Sequence, residues 1–403
     1  MKRKLDLRSG TPVWFAYNVR TVATAPLQRD IKTEVAIVGM GISGAMMAEA
    51  LTARGMDVVC LDRRGPLKGS TPATTALVQH EIDQPLSVLS EMIGIGKAQQ
   101  AWRRSKLAVE NLSSRIVDLD ISCGLERRPS LYIAGNVLSP TDLKEEAAAR
   151  DRAGLRTRYL TASELKDDFG IERDAALLSQ GNLELDPRKL TASLLRIAAQ
   201  RGARLYAPVE VGAFEAGKSG VTVATKDGPT ISAQHLVIAS GYELLDSVPE
   251  ANHSVVSTWA IATKPQKAKL WPERAFMWEA SDPYLYLRAT ADGRVICGGE
   301  DEDFTDEALR DELIGEKSAR ISEKLKRLLP DIDPEPDFAW AGSFGTTPTG
   351  LPFIGPVPRK KNVYAVMGYG GNGITFSQIA SEVIAAQLSG QKDSDETLFG
   401  FNR

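Results

Sequence analysis

Histidine and cysteine are both scarce in this chain, three of each among 403 residues. Cys60, Cys123 and Cys297 stand far apart, form no CxxC and are odd in number. They offer no metal site, so no metal is expected, and they point to a reducing compartment. Long apolar runs are missing as well. The most apolar segment, residues 35–48, is too short and too rich in glycine to span a bilayer. The basic start Met1-Lys2-Arg3-Lys4 leads into no apolar stretch, so it does not read as a signal peptide. Nor does one sign of charge dominate: a net charge of −3 gives no reason to expect nucleic acid or an anionic membrane as partner. What remains is an ordinary globular composition, 43% apolar and 25% charged, long enough for two domains and expected in the cytoplasm.

The chain is organised around residues 34–62. Val35-Ala36-Ile37-Val38 is an apolar, β-branched run that reads as a buried parallel strand. It enters Gly39-Met40-Gly41-Ile42-Ser43-Gly44, a full GxGxxG. Residues 42–54 read as a helix ended by Gly55, and Val58-Val59-Cys60-Leu61 as a second strand ending in Asp62. In that order, Gly39 permits a tight turn, Gly41 lets a pyrophosphate approach the backbone, and Gly44 lets helix and strand pack closely. The helix N-terminus, at Ile42 and Ser43, offers free N–H groups to phosphates, and Asp62 can accept a hydrogen bond from a ribose 2′-OH. Dinucleotide binding follows. The fingerprint alone does not separate FAD from a nicotinamide cofactor.

The loop 63–72 follows, with Arg63, Arg64 and Ser70 as cofactor contacts or a solvated turn. Thr74-Thr75-Ala76 is a small polar run able to start a helix. Helices are read at 86–93, 97–123, 141–153, 162–169 and 188–201, and strands at 128–134, 204–206, 209–211, 220–225 and 230–232. A further apolar strand, 236–241, ends in Gly241. Strands with aromatic content at 259–263, 284–289 and 294–297 suggest a second, antiparallel sheet, and 305–329 reads as an amphipathic helix interrupted by Gly315. The aromatics of the first thirty residues, Trp14, Phe15 and Tyr17, read as packing on the body. Near the end, Val363-Tyr364-Ala365-Val366-Met367 is a strand that meets Gly368-Tyr369-Gly370-Gly371-Asn372-Gly373, and a helix follows from Ile374 to residue 388. A simple NAD dehydrogenase does not need this second glycine-rich strand-to-helix junction. A cofactor with two distant ends can use it, because a helix N-terminus stabilises negative charge on a flavin pyrimidine ring.

With these motifs the chain resembles the FAD-dependent amine and amino-acid oxidoreductases, grouped with D-amino acid oxidase, glycine oxidase and sarcosine oxidase. The residues that carry it are the GxGxxG unit with Asp62, Gly69-Ser70, 237–241, Gly298-Gly299-Glu300-Asp301, the run Thr347-Pro348-Thr349-Gly350-Leu351-Pro352-Phe353-Ile354-Gly355, and 367–374. The resemblance implies an α/β fold: a Rossmann-like FAD-binding domain with a discontinuous substrate domain built on an antiparallel sheet. The FAD-binding domain would take residues 1–90, 186–257 and 335–403, and the substrate domain 91–185 and 258–334. It implies that Gly39, Gly41 and Gly44 face the pyrophosphate, and that Ser70, Thr74, Thr75, Ala76 and Leu77 lie toward the flavin ring. Val209 would meet adenine through its backbone, Gly241 and Gly350 belong to the cofactor set, and Gly371, Asn372, Gly373 and Ile374 would lie against the flavin ring. The reaction implied is oxidation of a C–N bond by hydride transfer to flavin N5, giving an imine that water hydrolyses. The partners are then an amine or amino acid and an electron acceptor, O2 or a carrier.

Three departures bear on substrate and acceptor. Relatives that oxidise amino acids often carry an Arg three or four residues before the Thr-Pro, to hold a carboxylate; this chain has Phe344 there, unless Arg288 substitutes. No Cys occurs between residues 341 and 353, so FAD is expected to be non-covalent. No Lys occurs in Arg294-Val295-Ile296-Cys297, which leans toward a dehydrogenase serving a carrier. Tyr284, Tyr286 and Arg288 alternate on a strand and share one face, as a substrate site or as packing. His80 is a candidate base or flavin partner, or a structural histidine. His235 and His253 read as surface residues, Trp259 and Trp278 as pocket lining or core, and the charges at 300–306 as a solvated edge. Two alternatives stay open: an NAD(P)-dependent dehydrogenase using the same fingerprint, and a flavin-binding, non-catalytic subunit of a larger complex.

Overall fold

The computed structural model describes residues 7–226, 228–243, 245, 248–249 and 252–403. The basic start Met1 to Lys4 and Asp227 of the hairpin turn lie outside the described residues. Two sheets carry the chain. The first has eight strands, in the order Phe353–Pro356, Val363–Met367, Thr230–Ile238, Ile31–Val38, Val58–Leu61 and Arg204–Tyr206, with Val211–Gly217 and Gly220–Thr225 attached to Thr230–Ile238. Its inner pairs are parallel. Both faces are covered, as the continuous apolar runs demand. Val35 and Ile37 pack with Met46, Leu51, Ile379 and Val383 of the helices on one side; Ala36 packs with Val59, Leu236, Val363 and Met367 on the other.

The second sheet has nine strands: Arg8–Gly10, Pro336–Thr346, Ser254–Thr263, Val295–Glu302, Leu285–Ala289, Phe276–Glu279, Glu126–Ile133, Ala175–Glu184 and Thr157–Thr161. All its neighbours are antiparallel except Phe276–Glu279 against Glu126–Ile133. Helix Ile314–Leu328 covers one face through Ile321, Leu325 and Leu328 against Trp259, Ile261, Leu285 and Leu287. The fold is the expected mixture of a Rossmann-like sheet and an antiparallel one.

Most elements follow their local signals. Ser139 and Thr161 close capping boxes with Asp142 and Glu164 at the starts of Pro140–Arg152 and Ala162–Phe169, and Asp186 caps Pro187–Gln200. Three expectations need correction. Residues 230–232 and 236–241 form one strand, Thr230–Ile238, half-exposed where it pairs with the hairpin and buried where it enters the parallel sheet. Residues 209–210 are loop, and the strand begins at Val211. Pro336–Thr346, for which no strand was expected, is a long strand second from the sheet edge, interrupted in its apolar pattern by Gly342 and Gly345.

Candidate active site

A cavity of about 700 Å³ runs from the carboxyl ends of the parallel strands to the face of the second sheet. At one end lie Gly39, Gly41, Asp62, Arg63, Arg64, Val209, Lys226 and Glu243. At the other lie Asp83, Tyr242, Trp278, Tyr284, Tyr286, Phe344 and Gly371.

The glycine end is built by close backbone approach. Gly39 has φ +111, and a Cβ there would sit 2.3 Å from the Ala239 carbonyl oxygen. A Cβ on Gly44 would sit 1.9 Å from the Gly39 carbonyl oxygen, so this glycine seats helix Ile42–Thr52 against the strand and does not itself line the cavity. Gly41 begins that helix without a side-chain cap, and the Thr71 hydroxyl accepts the Ile42 N–H at 3.0 Å. Asp62 accepts three backbone N–H groups, from Met40, Arg64 and Gly65, each at 2.8 Å. A carboxylate has about four acceptor positions, so room for one ribose hydroxyl remains. Arg63 and Arg64 pair with Glu243, and Lys226 with Glu210. The Val209 N–H is bonded to the Asp62 carbonyl at 2.9 Å, so any backbone contact to adenine falls to the other atoms of that residue.

The loop between the ends is clamped from outside. Trp340 Nε1 donates to Ala73 O at 2.8 Å, Trp14 Nε1 to Thr74 O at 2.6 Å, and Arg288 Nη1 to Ala76 O at 2.7 Å. Thr74 therefore starts no helix. A short 3₁₀ turn, Thr71–Ala73, precedes an extended segment in which Ala76 takes φ +58. Ser70, Thr74, Thr75 and Leu77 line the cavity; Ala76 faces away from it.

At the far end, helix Gly373–Leu388 follows a 3₁₀ turn, Gly370–Asn372. Asp83 accepts the Gly371 N–H at 2.8 Å. Asp83 opens onto the cavity but lies deep within it, and this burial, opposed by the Gly371 N–H and reinforced by Asp301, pushes its carboxyl up to about 6. The Tyr286 ring leans over its cross-strand neighbour Gly298, where a Cβ would fall 2.5 Å from the ring. It stacks on Tyr284 at 5.5 Å, and the Tyr284 hydroxyl donates to Asp301 at 2.5 Å. Burial raises the pKa of Tyr242, Tyr284 and Tyr286, so all three stay neutral phenols at neutral pH.

The structure thus gathers Gly39, Gly41, Ile42, Ser43, Asp62, Arg63, Ser70, Thr74, Thr75, Leu77, Val209, Gly241, Gly371, Asn372, Gly373, Ile374 and Tyr286 around one cavity. It leaves out Gly44, Ala76, Gly350, His80 and Arg288. Gly350, with φ +66, serves the turn closed by its N–H to Thr347 O. His80 is buried with Nδ1 2.8 Å from Asn182 Oδ1; burial lowers its pKa, so the ring is neutral and has no line to the cavity. Arg288 shares a strand face with Tyr286 but sits beneath the clamped loop, 2% exposed and paired with Glu184 at 3.4 Å. It anchors the loop, and a substrate carboxylate cannot reach it. Two bland expectations are overturned. His253 lines the cavity beside Gly345, and Glu300 is a buried ion-pair centre for Lys317, Arg320 and Lys324. Trp278 lines the cavity, whereas Trp259 is core. The sequence reading passed over Asp83 and Tyr242. Tyr242 carried a signal, since it directly follows the carboxyl end of a parallel strand, where ligands bind in such sheets. Asp83 carried none.

The glycine cradle fits a pyrophosphate, and the buried Ser70 Oγ, which has no hydrogen-bond partner, supplies a waiting polar contact beside it. A parallel sheet with this fingerprint, joined through one cavity to an aromatic antiparallel face, defines a dinucleotide-dependent oxidoreductase. The family model described as DAO, FAD dependent oxidoreductase, matches residues 34–387, and the chain belongs to that family. It is 23% identical to the putative Rieske 2Fe-2S iron-sulfur protein of Bacillus subtilis (strain 168), over 93% of this chain and 72% of that protein. It is 24% identical to gamma-glutamylputrescine oxidoreductase of Escherichia coli (strain K12), over 91% of this chain and 86% of that one. Glycine oxidase from Geobacillus kaustophilus superposes with a TM-score of 0.74 at 20% identity, covering 92% of this chain and 99% of the other. The cofactor is FAD, and the protein is an FAD-dependent oxidoreductase of the class acting on C–N bonds of amines and amino acids.

Proposed function

We propose that the protein oxidises a substrate C–N bond at the aromatic end of the cavity and passes the electrons to a carrier. The observation that carries this reading is the continuity of one cavity from the Gly39–Gly41 cradle to Tyr286 and Gly371. Bound FAD supplies the two-electron acceptor for the hydride that leaves the substrate carbon. Around it, Gly39, Gly41, Ile42 and Ser43 hold the pyrophosphate, Asp62 the ribose, and Ser70, Thr74, Thr75 and Leu77 the approach to the ring. The start of helix Gly373–Leu388 stands at the ring end. Tyr286, Tyr284 and Trp278 wall the reacting end, exclude water and orient the substrate. The substrate nitrogen gives any ammonium proton to water, its lone pair then drives the hydride out, the iminium so formed loses a proton to water, and the imine is hydrolysed by water.

FAD is held non-covalently: none of the three cysteines, all buried and unpaired, lines the cavity. These thiols also support a cytoplasmic setting, and no described helix is long and apolar enough to cross a membrane. A carrier is favoured over O2 because the one lysine lining the cavity, among the described residues, is Lys226 at the glycine end. A two-domain division with the cut points at 257 and 335 moved to 253 and 347 keeps Ser254–Thr263 and Pro336–Thr346 with the second sheet, to which Arg8–Gly10 of the 1–90 segment also adds a strand. An anaerobic titration of the purified protein with amines and with D- and L-amino acids tests the reading. Bleaching of the flavin spectrum by one of these classes is expected, followed by faster reoxidation by a quinone or dye than by O2. A protein that binds FAD and is reduced by none of them would leave the reading without support.

A further inference from the structure

We infer that this site recognises its substrate through a positive charge, held by the Asp83 carboxylate inside the tyrosine–tryptophan wall, and that its substrates are cationic amines with no free carboxylate at the reacting end. The inference rests on the C–N oxidation proposed above.

The charges lining the cavity are divided by place. Among the described residues, its Arg and Lys side chains are Arg63, Arg64 and Lys226, all at the glycine end beside Glu243 and Glu210. At the reacting end the lining charges are carboxylates. Glu81 is buried, accepts the Ser130 hydroxyl through Oε1 and sets Oε2 3.5 Å from the neutral His80 ring. Asp83 is open to the cavity, and its hydrogen bond comes from the Gly371 N–H. Since a carboxylate has about four acceptor positions, it keeps capacity for the N–H groups of an ammonium.

The backbone around Asp83 is shaped for it. A Cβ on Gly370 would fall 2.3 Å from one of its oxygens, and one on Gly371 would fall 2.7 Å from the other. An independent observation points the same way. Asn372, 5% exposed, lines the same end; its Nδ2 donates to the Glu81 carbonyl at 2.8 Å and to the Gln79 carbonyl at 3.4 Å, and its buried Oδ1 has no hydrogen-bond partner. Asp83 therefore offers open acceptor capacity in a wall that also holds Asn372. Tyr242, Tyr284, Tyr286 and Trp278 line the same end, and aromatic faces attract a cation. Phe344 lies in the same wall. His253 is the remaining ionisable nitrogen at this end, beside Gly345 and Gly368.

The test uses two ligands that share a ring and differ in charge, benzamidinium, whose N–H groups can donate to a carboxylate, and benzoate. Calorimetry measures their affinity with and without FAD, and perturbation of the visible flavin spectrum places them against the cofactor. Wild type is expected to bind the cation at least tenfold more tightly than benzoate. D83N, which keeps an oxygen for the Gly371 N–H, is expected to lose at least tenfold in cation affinity and nothing for benzoate, and D83E to recover part of the loss. Tighter benzoate binding by wild type, abolished in H253Q, would overturn the inference, as would D83N with unchanged cation affinity. A protein that binds FAD and is reduced by small amino acids would sink the inference and leave C–N oxidation standing. A protein that cannot bind FAD would sink the function, while calorimetry on the apoprotein still decides the charge preference.

Discussion

Arg288 offers the sharpest test of how the site is built. Replacing it with Met keeps an apolar stem of similar reach and removes the guanidinium. Four polar contacts go with it: Glu184 at 3.4 Å, Ala76 O at 2.7 Å, Leu185 O at 3.3 Å and Ala289 O at 3.3 Å. So does its stacking over Trp14 at 5.5 Å and Phe276 at 5.7 Å. Removing one partner of a buried ion pair costs about 3–5 kcal/mol. Glu184 keeps Arg128 Nε at 2.7 Å, so it is not left uncompensated, and the low end, about 3 kcal/mol, applies. With an unfolding entropy of about 2.1 cal/mol/K per residue, a chain of 403 residues unfolding as one unit would lose about 3–4 °C in Tm. The assay is thermal unfolding of the apoprotein, paired with FAD and benzoate titrations. Arg288→Met should lower Tm by that amount and weaken FAD, because Ala76, held at φ +58, loses the donor on its carbonyl. Benzoate affinity should not change. A Tm within about 1 °C of wild type, with carboxylate binding abolished, would refute this reasoning and return Arg288 to the substrate.

Gly44→Ala should destabilise the apoprotein by about 1–3 kcal/mol or more, because its Cβ meets the Gly39 carbonyl at 1.9 Å. Gly41→Ala, whose nearest contact is Thr71 Oγ1 at 3.1 Å, should fold normally and lose roughly tenfold in FAD affinity; equal Tm losses in the two variants would contradict this. Phe344→Arg should raise affinity for benzoate roughly tenfold by placing a fork of donors in the reacting end, and unchanged binding would show that Phe344 does not face the ligand. The Asp83 carboxyl is raised by burial from 3.8 to about 6, so the native state holds this proton more tightly than the unfolded chain. Wild-type apoprotein should therefore lose stability relative to D83N as pH climbs through that window. The Tm gap should be widest above pH 6 and close toward the unfolded value of 3.8; a gap that widens toward acid would contradict the assignment.

Local pattern sufficed for the frame. The strand–glycine–helix–strand order of 34–62, the strand Val363–Met367 and the helix Ala162–Phe169 were legible because backbone period and glycine φ act within a few residues. The same locality set the glycine cradle of residues 39–44, whose parts are adjacent in the chain. What the tertiary structure decided was the chemistry facing the substrate. Asp83 and Gly371 bond across 288 residues. Trp14, Arg288 and Trp340 converge on one short loop from three distant segments. Tyr284, Tyr286 and Arg288 alternate alike along one strand, yet the loop above covers only the last, turning a candidate substrate anchor into a structural one. A side chain's role here depends on which element lies over it, and strand periodicity sets a face without setting what that face meets.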